Sequence, residues 1–513
     1  MININIMKMI QKTIFLGIVF TMSLFSVHSQ NPAIEWQKCF GGSYSESAQQ
    51  IIQTSEGGYI AVGHTSSNDY DAIDNHSNSY DFFIVKVTNL GNVEWKKCLG
   101  GTSSELATSV AETQNKEYII AGWTESNDGD VSGHYTQDDL LNLDGWIVKL
   151  DSIGTIIWQK CFGGSKHDFI NNIKKTSDGG FIFCGSTHSI DGDVINTTER
   201  YEEAWVVKLD SLGVIEWSRC YGGTYWEEFN AIIQTNDGGY IAVGKTFSSD
   251  GDVIGHNFLD DAWIVKLSGT GDIQWQMCYG NTPFDRANDV CQTSDNGYII
   301  VGQTDPDNNQ FYESFVLKLS SSGNVQWVQY LGENYSCELY SVTTTYDGGF
   351  IVGGAKNGFF IAKFSAIGNL QWQKKYAELY YGDILYSLQQ TSDNGYILAG
   401  KVESNSGDVS GNHSINGFED MWIVKISPTV SIENLDEDNL IQIYPNPTQD
   451  MVNIKIPGNM INLPYYIYSV TGQLVISGTI TSEEMELDLG SFSEGFYLLK
   501  IKERKQKIVR ANS

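Results

Sequence analysis

The chain has 513 residues, 41% of them apolar, and a formal charge of −30 at pH 7. That length accommodates two to four ordinary domains, or one large repeat domain with an appendage. The acidic balance argues against nucleic acid and anionic lipid as partners, while 52 glycines, 8 prolines and 12% aromatic residues favour short strands joined by tight turns.

In chain order, the first expected element is an export signal over residues 1–29. Lys8 and Lys12 precede an apolar run from Thr13 to Val27, and small residues follow for cleavage near Ser29. The run is short for a membrane span and no later stretch reaches spanning length, so no transmembrane segment is expected after signal removal. The mature chain is expected to be exported and monomeric.

From residue 34 three signatures recur. A glycine turn such as Asn236–Tyr240 follows Thr54, Thr113, Thr176, Thr235, Thr293, Thr345 and Thr391. A strand ending in lysine supplies Lys86, Lys149, Lys208, Lys266, Lys318, Lys363 and Lys425. A glycine turn then leads into a tryptophan strand, with Trp36, Trp95, Trp158, Trp217, Trp275, Trp327 and Trp372. Each unit holds four strand-like runs; in the fourth they lie near 229–235, 240–246, 262–267 and 273–279. Four antiparallel strands without a helical period describe a propeller blade. The chain opens on a tryptophan strand, and its last unit lacks one after Ile426. The pattern therefore predicts an all-β fold: a seven-bladed β-propeller over residues 30–430, closed by an N-terminal strand that removes the free edges.

Five cysteines stand three residues after a tryptophan: Cys39, Cys98, Cys161, Cys220 and Cys278. Equivalent positions in a ring lie too far apart to bridge, so they read as small buried apolar side chains.

The loop between the second and third strands is rich in Asp, Asn, Ser and Gly. Asp128, Asp130, Asp191, Asp193, Asp250, Asp252 and Asp408 flank its glycines, and carboxylates at this spacing can present oxygens to Ca²⁺. No closing bidentate Glu follows, and the competing reading is a turn in which Asp caps its own backbone. Eight residues before each threonine stand Glu46, Glu105, Asp168, Glu227, Asp285, Cys337 and Asp383. Their acids could ring the channel mouth and hold a cation. Alternatively, each pairs with a nearby backbone N–H or with the recurrent lysine as a tie between blades.

Aromatic residues outside the repeat are the candidate ligand contacts: Trp123, Tyr225, Trp226, Tyr335, Tyr380 and Tyr381. No HExxH, GxSxG, P-loop or paired CxxC is present in the sequence. A non-catalytic binding or adhesion module for a glycan or protein is the favoured expectation. An extracellular hydrolase or lyase with its site at the channel mouth is the alternative.

After residue 430 the pattern stops. A polar, acidic linker is expected over 431–440, followed over 441–513 by short alternating strands that suggest a small Ig-like β-sandwich. This segment contains Tyr444-Pro445-Asn446-Pro447, Asp450, the turn ending in Thr471-Gly472, Leu489, and Gly495-Phe496-Tyr497 before a Lys-rich strand. By these motifs it resembles the type A C-terminal sorting domain of the type IX secretion system of Bacteroidota. The resemblance implies export through that machinery and release or attachment at the cell surface. The repeat over residues 34–427 also resembles β-propeller repeats of secreted Bacteroidota proteins, which implies a fold and no particular activity.

Overall fold

The computed structural model describes residues 32–428 and 441–510, apart from 78, 136–141, 196–200, 257–258, 281–283, 305–312, 333–336, 378–381, 404, 414–416, 445–447, 449, 457–459, 470–472, 494 and 502–503. The expected export signal and linker lie outside the described residues, as do Tyr335, Tyr380, Tyr381, Pro445, Asn446, Pro447 and Gly472. The chain divides into two compact units, one spanning Asn31–Thr429 and the other taking the residues from Val430 onward.

The repeated turn explains its own residues. In the fourth repeat the Thr235 N–H donates to Gly239 O and the Gly238 N–H returns to Thr235 O, each at 2.9 Å. Gly238 has φ +83°, the left-handed region where a side chain is strained. Asp237 accepts from Thr235 Oγ1, from the Gly239 N–H at 3.0 Å, and from Lys266 Nζ at 3.0 Å. Partial burial opposes ionisation, but these three donors hold the Asp237 carboxyl down to about 2.

The same geometry corrects the expected tie between the recurrent lysine and the inner-strand acid. Lys208, Lys266, Lys318, Lys363 and Lys425 reach Asp178, Asp237, Asp295, Asp347 and Asp393, all turn residues. Lys86 and Lys149 reach Glu94 and Glu117. The reason is direction: the lysine ends a strand that runs down the blade, while the acid begins one at the top. Lys266 accordingly pairs with Ile241, and Glu227 with Thr246.

Among the described residues, the first unit contains seven four-stranded antiparallel sheets. Their inner strands are Glu46–Gln53, Glu105–Glu112, Asp168–Lys175, Glu227–Gln234, Asp285–Gln292, Glu338–Thr344 and Ile384–Gln390. In the last sheet the outer strand is Ile34–Phe40, which pairs with Asp420–Ile426. Each sheet shares a buried core with the next, from the first pair through the sixth. The last and first sheets share another, in which Ile397, Ala399, Met421 and Ile423 meet Ile51, Ala61, Phe83 and Val85. This cycle makes the first unit a β-propeller.

The tryptophan strand ties neighbours together. A Cβ on Gly91 would come within 2.8 Å of the Trp36 ring, and one on Gly154 within 3.1 Å of Trp95. Six of the seven indoles lie on the turn glycine of the following sheet, Trp372 being the exception because the seventh sheet has no such turn, and Trp36 Nε1 donates to Asn89 O at 3.0 Å. All eight cysteines are free thiols; Cys39 and Cys98 are buried, while Cys161, Cys220 and Cys278 are only half-buried on the outer strands.

The second unit holds two antiparallel sheets. Gln442–Tyr444, Met451–Lys455 and Glu484–Asp488 form one; Leu474–Thr479, Pro464–Ser469, Gly495–Ile501 and Arg504–Arg510 form the other. Val452, Ile454 and Leu487 from the first meet Ile467, Leu499 and Ile501 from the second in one core. Tyr444 is exposed at a strand end and Gly495, at φ +143°, opens a strand.

Candidate functional site: channel, junction loops and exposed aromatics

A cavity of about 560 Å³ is lined by residues of all seven inner strands. A β-bulge in each strand shapes its wall. The ladder to the second strand skips Gln49, Thr108, Asn171, Asn230, Asn288, Tyr340 and Tyr386. Four of these side chains donate to the next sheet's backbone: Thr108 to Ile170 O at 2.7 Å, Asn171 to Phe229 O at 3.0 Å, Asn230 to Ala287 O at 2.9 Å and Asn288 to Leu339 O at 2.7 Å. Tyr340 and Tyr386 meet edge to face at 5.2 Å.

A second belt uses the residue after the bulge. Gln50 accepts the Val110 N–H at 2.7 Å, Ser109 the Ile173 N–H at 3.1 Å, and Asp289 the Val342 N–H at 2.8 Å. Ser387 accepts the Ile51 N–H at 3.2 Å, joining the seventh sheet to the first. The fourth sheet breaks this belt, because Ala231 has nothing to offer. Sequence reading missed both belts, since the polar residues vary in type and only their distance from the threonine recurs.

The inner-strand acids are buried and occupied. Glu46 accepts from the Gly42 N–H at 2.7 Å and Thr65 Oγ1 at 2.6 Å; Glu105 repeats this with Gly101 at 2.9 Å and Thr124 at 2.7 Å. Asp168 takes the Gly164 N–H and Ser189 Oγ, each at 2.8 Å. Burial raises Glu46 and Glu105 to about 7 and Asp168 to about 6, against hydrogen bonds that favour the ionised form. These contacts favour the backbone-capping reading over an open carboxylate ring.

A second acid escaped the sequence reading, although it stands five residues before the strand lysine in six of the seven repeats, Gly358 taking its place in the sixth. Asp81, Asp144 and Asp420 are buried and accept loop N–H groups from His76 at 3.0 Å, Tyr135 at 2.7 Å and His413 at 2.7 Å. Their Oδ1 atoms have no hydrogen-bond partner among the described residues. Burial raises Asp144 to about 8.

The aspartates of the long loops also spend their oxygens on backbone. Asp128 accepts the Thr102 N–H at 2.8 Å, Asp191 the Ser165 N–H at 2.7 Å and Asp250 the Thr224 N–H at 2.8 Å. Asp130, Asp193 and Asp252 face the N–H groups of Gly100, Gly163 and Gly222 at 3.3, 3.3 and 3.2 Å. The glycine between has φ from +61 to +67° in all four copies, including Gly407 beside Asp408. A fifth copy, Asp69-Tyr70-Asp71, repeats the bonds: Asp69 accepts the Ser43 N–H at 2.8 Å, and Tyr70 holds φ +49° without being glycine. Among the described residues no group of three or more His, Cys, Asp or Glu is arranged to hold a metal ion. The geometry is that of a loop cap.

The aromatic candidates separate. Trp123 is half-buried and meets Phe169 edge-on at 6.3 Å, where the second and third sheets adjoin. Tyr225 and Trp226 lie where the chain crosses from the third sheet to the fourth, and Tyr201 joins them. Tyr201 lies parallel to Tyr225 at 6.2 Å, contacts Trp226 at 5.5 Å, and Trp226 meets Phe247 at 5.5 Å. Tyr201, Tyr225 and Trp226 remain 58%, 50% and 43% exposed. Tyr201 went unnoticed in the sequence because it is far from Tyr225 along the chain.

Residues 442–511 match the secretion system C-terminal sorting domain. The chain is therefore exported, to the cell surface or beyond, by the type IX route that this domain serves. No curated protein matches the chain. Among solved structures it is similar to Sqt1 from Chaetomium thermophilum at 11% identity and TM-score 0.42, over 77% of this chain and 99% of that one. The Dos1 propeller gives 9% identity and TM-score 0.42, over 77% and 95%. A protein of unknown function from Bacteroides caccae gives 9% identity and TM-score 0.37, over 60% and 93%. Scores this low carry no functional argument, and the fold rests on the chain's own sheets.

Proposed function

We propose that this chain is a binding or adhesion module of a Bacteroidota cell surface or its surroundings: a closed seven-bladed propeller followed by an Ig-like sorting domain. Its export signal is removed, and the mature protein is a monomer that uses its loop face on a glycan or protein. The observation that carries this reading is the exposed group Tyr201, Tyr225 and Trp226 on an otherwise regular scaffold. Exposed aromatic faces stack on sugar rings or on apolar side chains, and natural monomers seldom leave three together without use. A smaller pair, Tyr44 and Phe418 at 5.6 Å, is similarly exposed where the last sheet meets the first.

The hydrolase or lyase alternative finds less support, since Glu46, Glu105 and Asp168 are already taken by backbone and hydroxyl donors. The test is a glycan array and a cell-surface pull-down with the full chain and its Trp226→Ala and Tyr225→Ala variants. A captured ligand whose signal falls at least tenfold in both variants supports the reading. Undiminished binding by both variants refutes it.

A further inference from the structure

Three charged residues in the channel lining stand outside the repeat: Lys174, Arg286 and Asp289. Lys174 lines the cavity on the third inner strand. Its counterparts, two residues before each repeat threonine, are Ile52, Ala111, Ile233, Cys291, Thr343 and Gln389, none of them charged. Among the described residues its ammonium has neither an ion pair nor a hydrogen bond. Its field acts on Asp289, whose two oxygens accept the Val290 N–H at 2.9 Å and the Val342 N–H at 2.8 Å. Desolvation raises the Asp289 carboxyl, and the field of Lys174 opposes that rise. Between their strands Ala231 supplies no polar atom to the belt, and it lines the same cavity as Lys174.

The surrounding groups narrow the chemistry. Asn171, Asn230 and Asn288 each commit Nδ2 to a neighbouring carbonyl, which fixes the amide orientation. Their Oδ1 atoms receive no hydrogen bond from the described residues and are free to accept from hydroxyl groups. Tyr340 and Tyr386 add apolar ring surface to the same wall. Arg286 is a second cation in the lining; its Nε donates to Gln303 at 2.7 Å and, among the described residues, it has no ion pair. The Lys174 ammonium, which has no ion pair among the described residues, suits a carboxylate, and three acceptors suit several hydroxyls.

We propose that the channel binds a sugar acid of the hexuronate class, its carboxylate on Lys174 and its hydroxyls on the side-chain carbonyls of Asn171, Asn230 and Asn288. The site is separate from the exposed aromatic group and stands whether or not that group binds anything. A volume of about 560 Å³ lies within the usual range for small-molecule sites.

The test is calorimetric titration of the full chain with glucuronate, glucose and inorganic sulfate, repeated on Lys174→Gln, Asn230→Ala and Trp226→Ala. Glucuronate should bind the native chain, at least tenfold more weakly after Lys174→Gln and several-fold more weakly after Asn230→Ala. Trp226→Ala should leave it unchanged, which separates this site from the aromatic one. Lys174 makes no bond whose loss would unfold the chain, and an unchanged melting temperature checks this. The proposal is overturned if glucuronate fails to bind, if Lys174→Gln binds it equally well, or if glucose or sulfate binds as tightly.

Discussion

Every second strand of the repeat carries a glycine, Gly244 in the fourth, and its replacement by alanine separates two reasons for keeping glycine. Gly244 lies opposite the bulge at Asn230, where the ladder steps from Phe229 to Ala231. A Cβ there would run into the carbonyl oxygen of Glu228 and crowd Phe229 Cα at 2.8 Å. Backbone cannot swing aside as a side chain can, so the inner and second strands must part. Overpacking of this kind costs about 1–3 kcal/mol, and each ladder hydrogen bond weakened adds about 1 kcal/mol. Gly244→Ala should therefore destabilise by roughly 3–5 kcal/mol. Gly238→Ala is the comparison: φ is +83° but nothing lies within 4 Å of the new Cβ. Only the left-handed strain applies there, roughly 1–2 kcal/mol. Urea denaturation of the full chain and both variants at one pH measures the difference. If Gly238→Ala is the more damaging, or both are neutral, the account of the bulge is wrong.

Stability should also fall as pH rises from about 5 to 8. Glu46 and Glu105 are raised from 4.5 to about 7 by burial, so the folded chain binds protons that the unfolded chain releases. Their contribution is complete below the ordinary carboxylate range and is lost through pH 7, at roughly 3 kcal/mol each on full ionisation. Below pH 4 the sign reverses, because Asp178, Asp237 and Asp295 are held near 2 and lose their lysine partners on protonation. A melting temperature that is flat between pH 5 and 8 would contradict this. Tyr70→Gly should stabilise the chain by about 1 kcal/mol, by relieving φ +49° in the first long loop; a destabilised variant would show that the Tyr70 ring matters more than its backbone. Gln50→Ala should cost about 1–3 kcal/mol, since it strands the Val110 N–H and leaves Ser109 Oγ only the Ile173 carbonyl to donate to, read again by urea denaturation. Deleting residues 32–42 should expose the edge of Asp420–Ile426 and cause aggregation, reversed by adding the missing strand as a peptide. A monomeric, stable deletion product would refute closure by the first strand.

What the sequence determined by itself was the repeat and its closure. Turn glycines, strand lysines and tryptophans are each dictated by local geometry that every copy must satisfy, so they recur visibly: Gly238 by its φ, Gly91 by the indole of Trp36 lying on it. The offset of Trp36 to the chain's start sufficed to place the first strand against the last sheet. The partners of those residues were not legible. Lys266 turned to Asp237 rather than to an inner-strand acid because antiparallel strand direction, invisible in a spacing, sets which end of the blade each reaches. The long-loop aspartates could have been ion ligands or caps on sequence grounds alone; the N–H groups that they accept, of Thr102, Ser165 and Thr224, lie 26 residues away and were not legible in the spacing. Tyr201 joined Tyr225, and Lys174 came to face an open channel, only because the ring brings separate strands together. A side chain's repeat position follows from its own backbone, but its partner follows from where other strands return, and that is fixed by the closed tertiary structure.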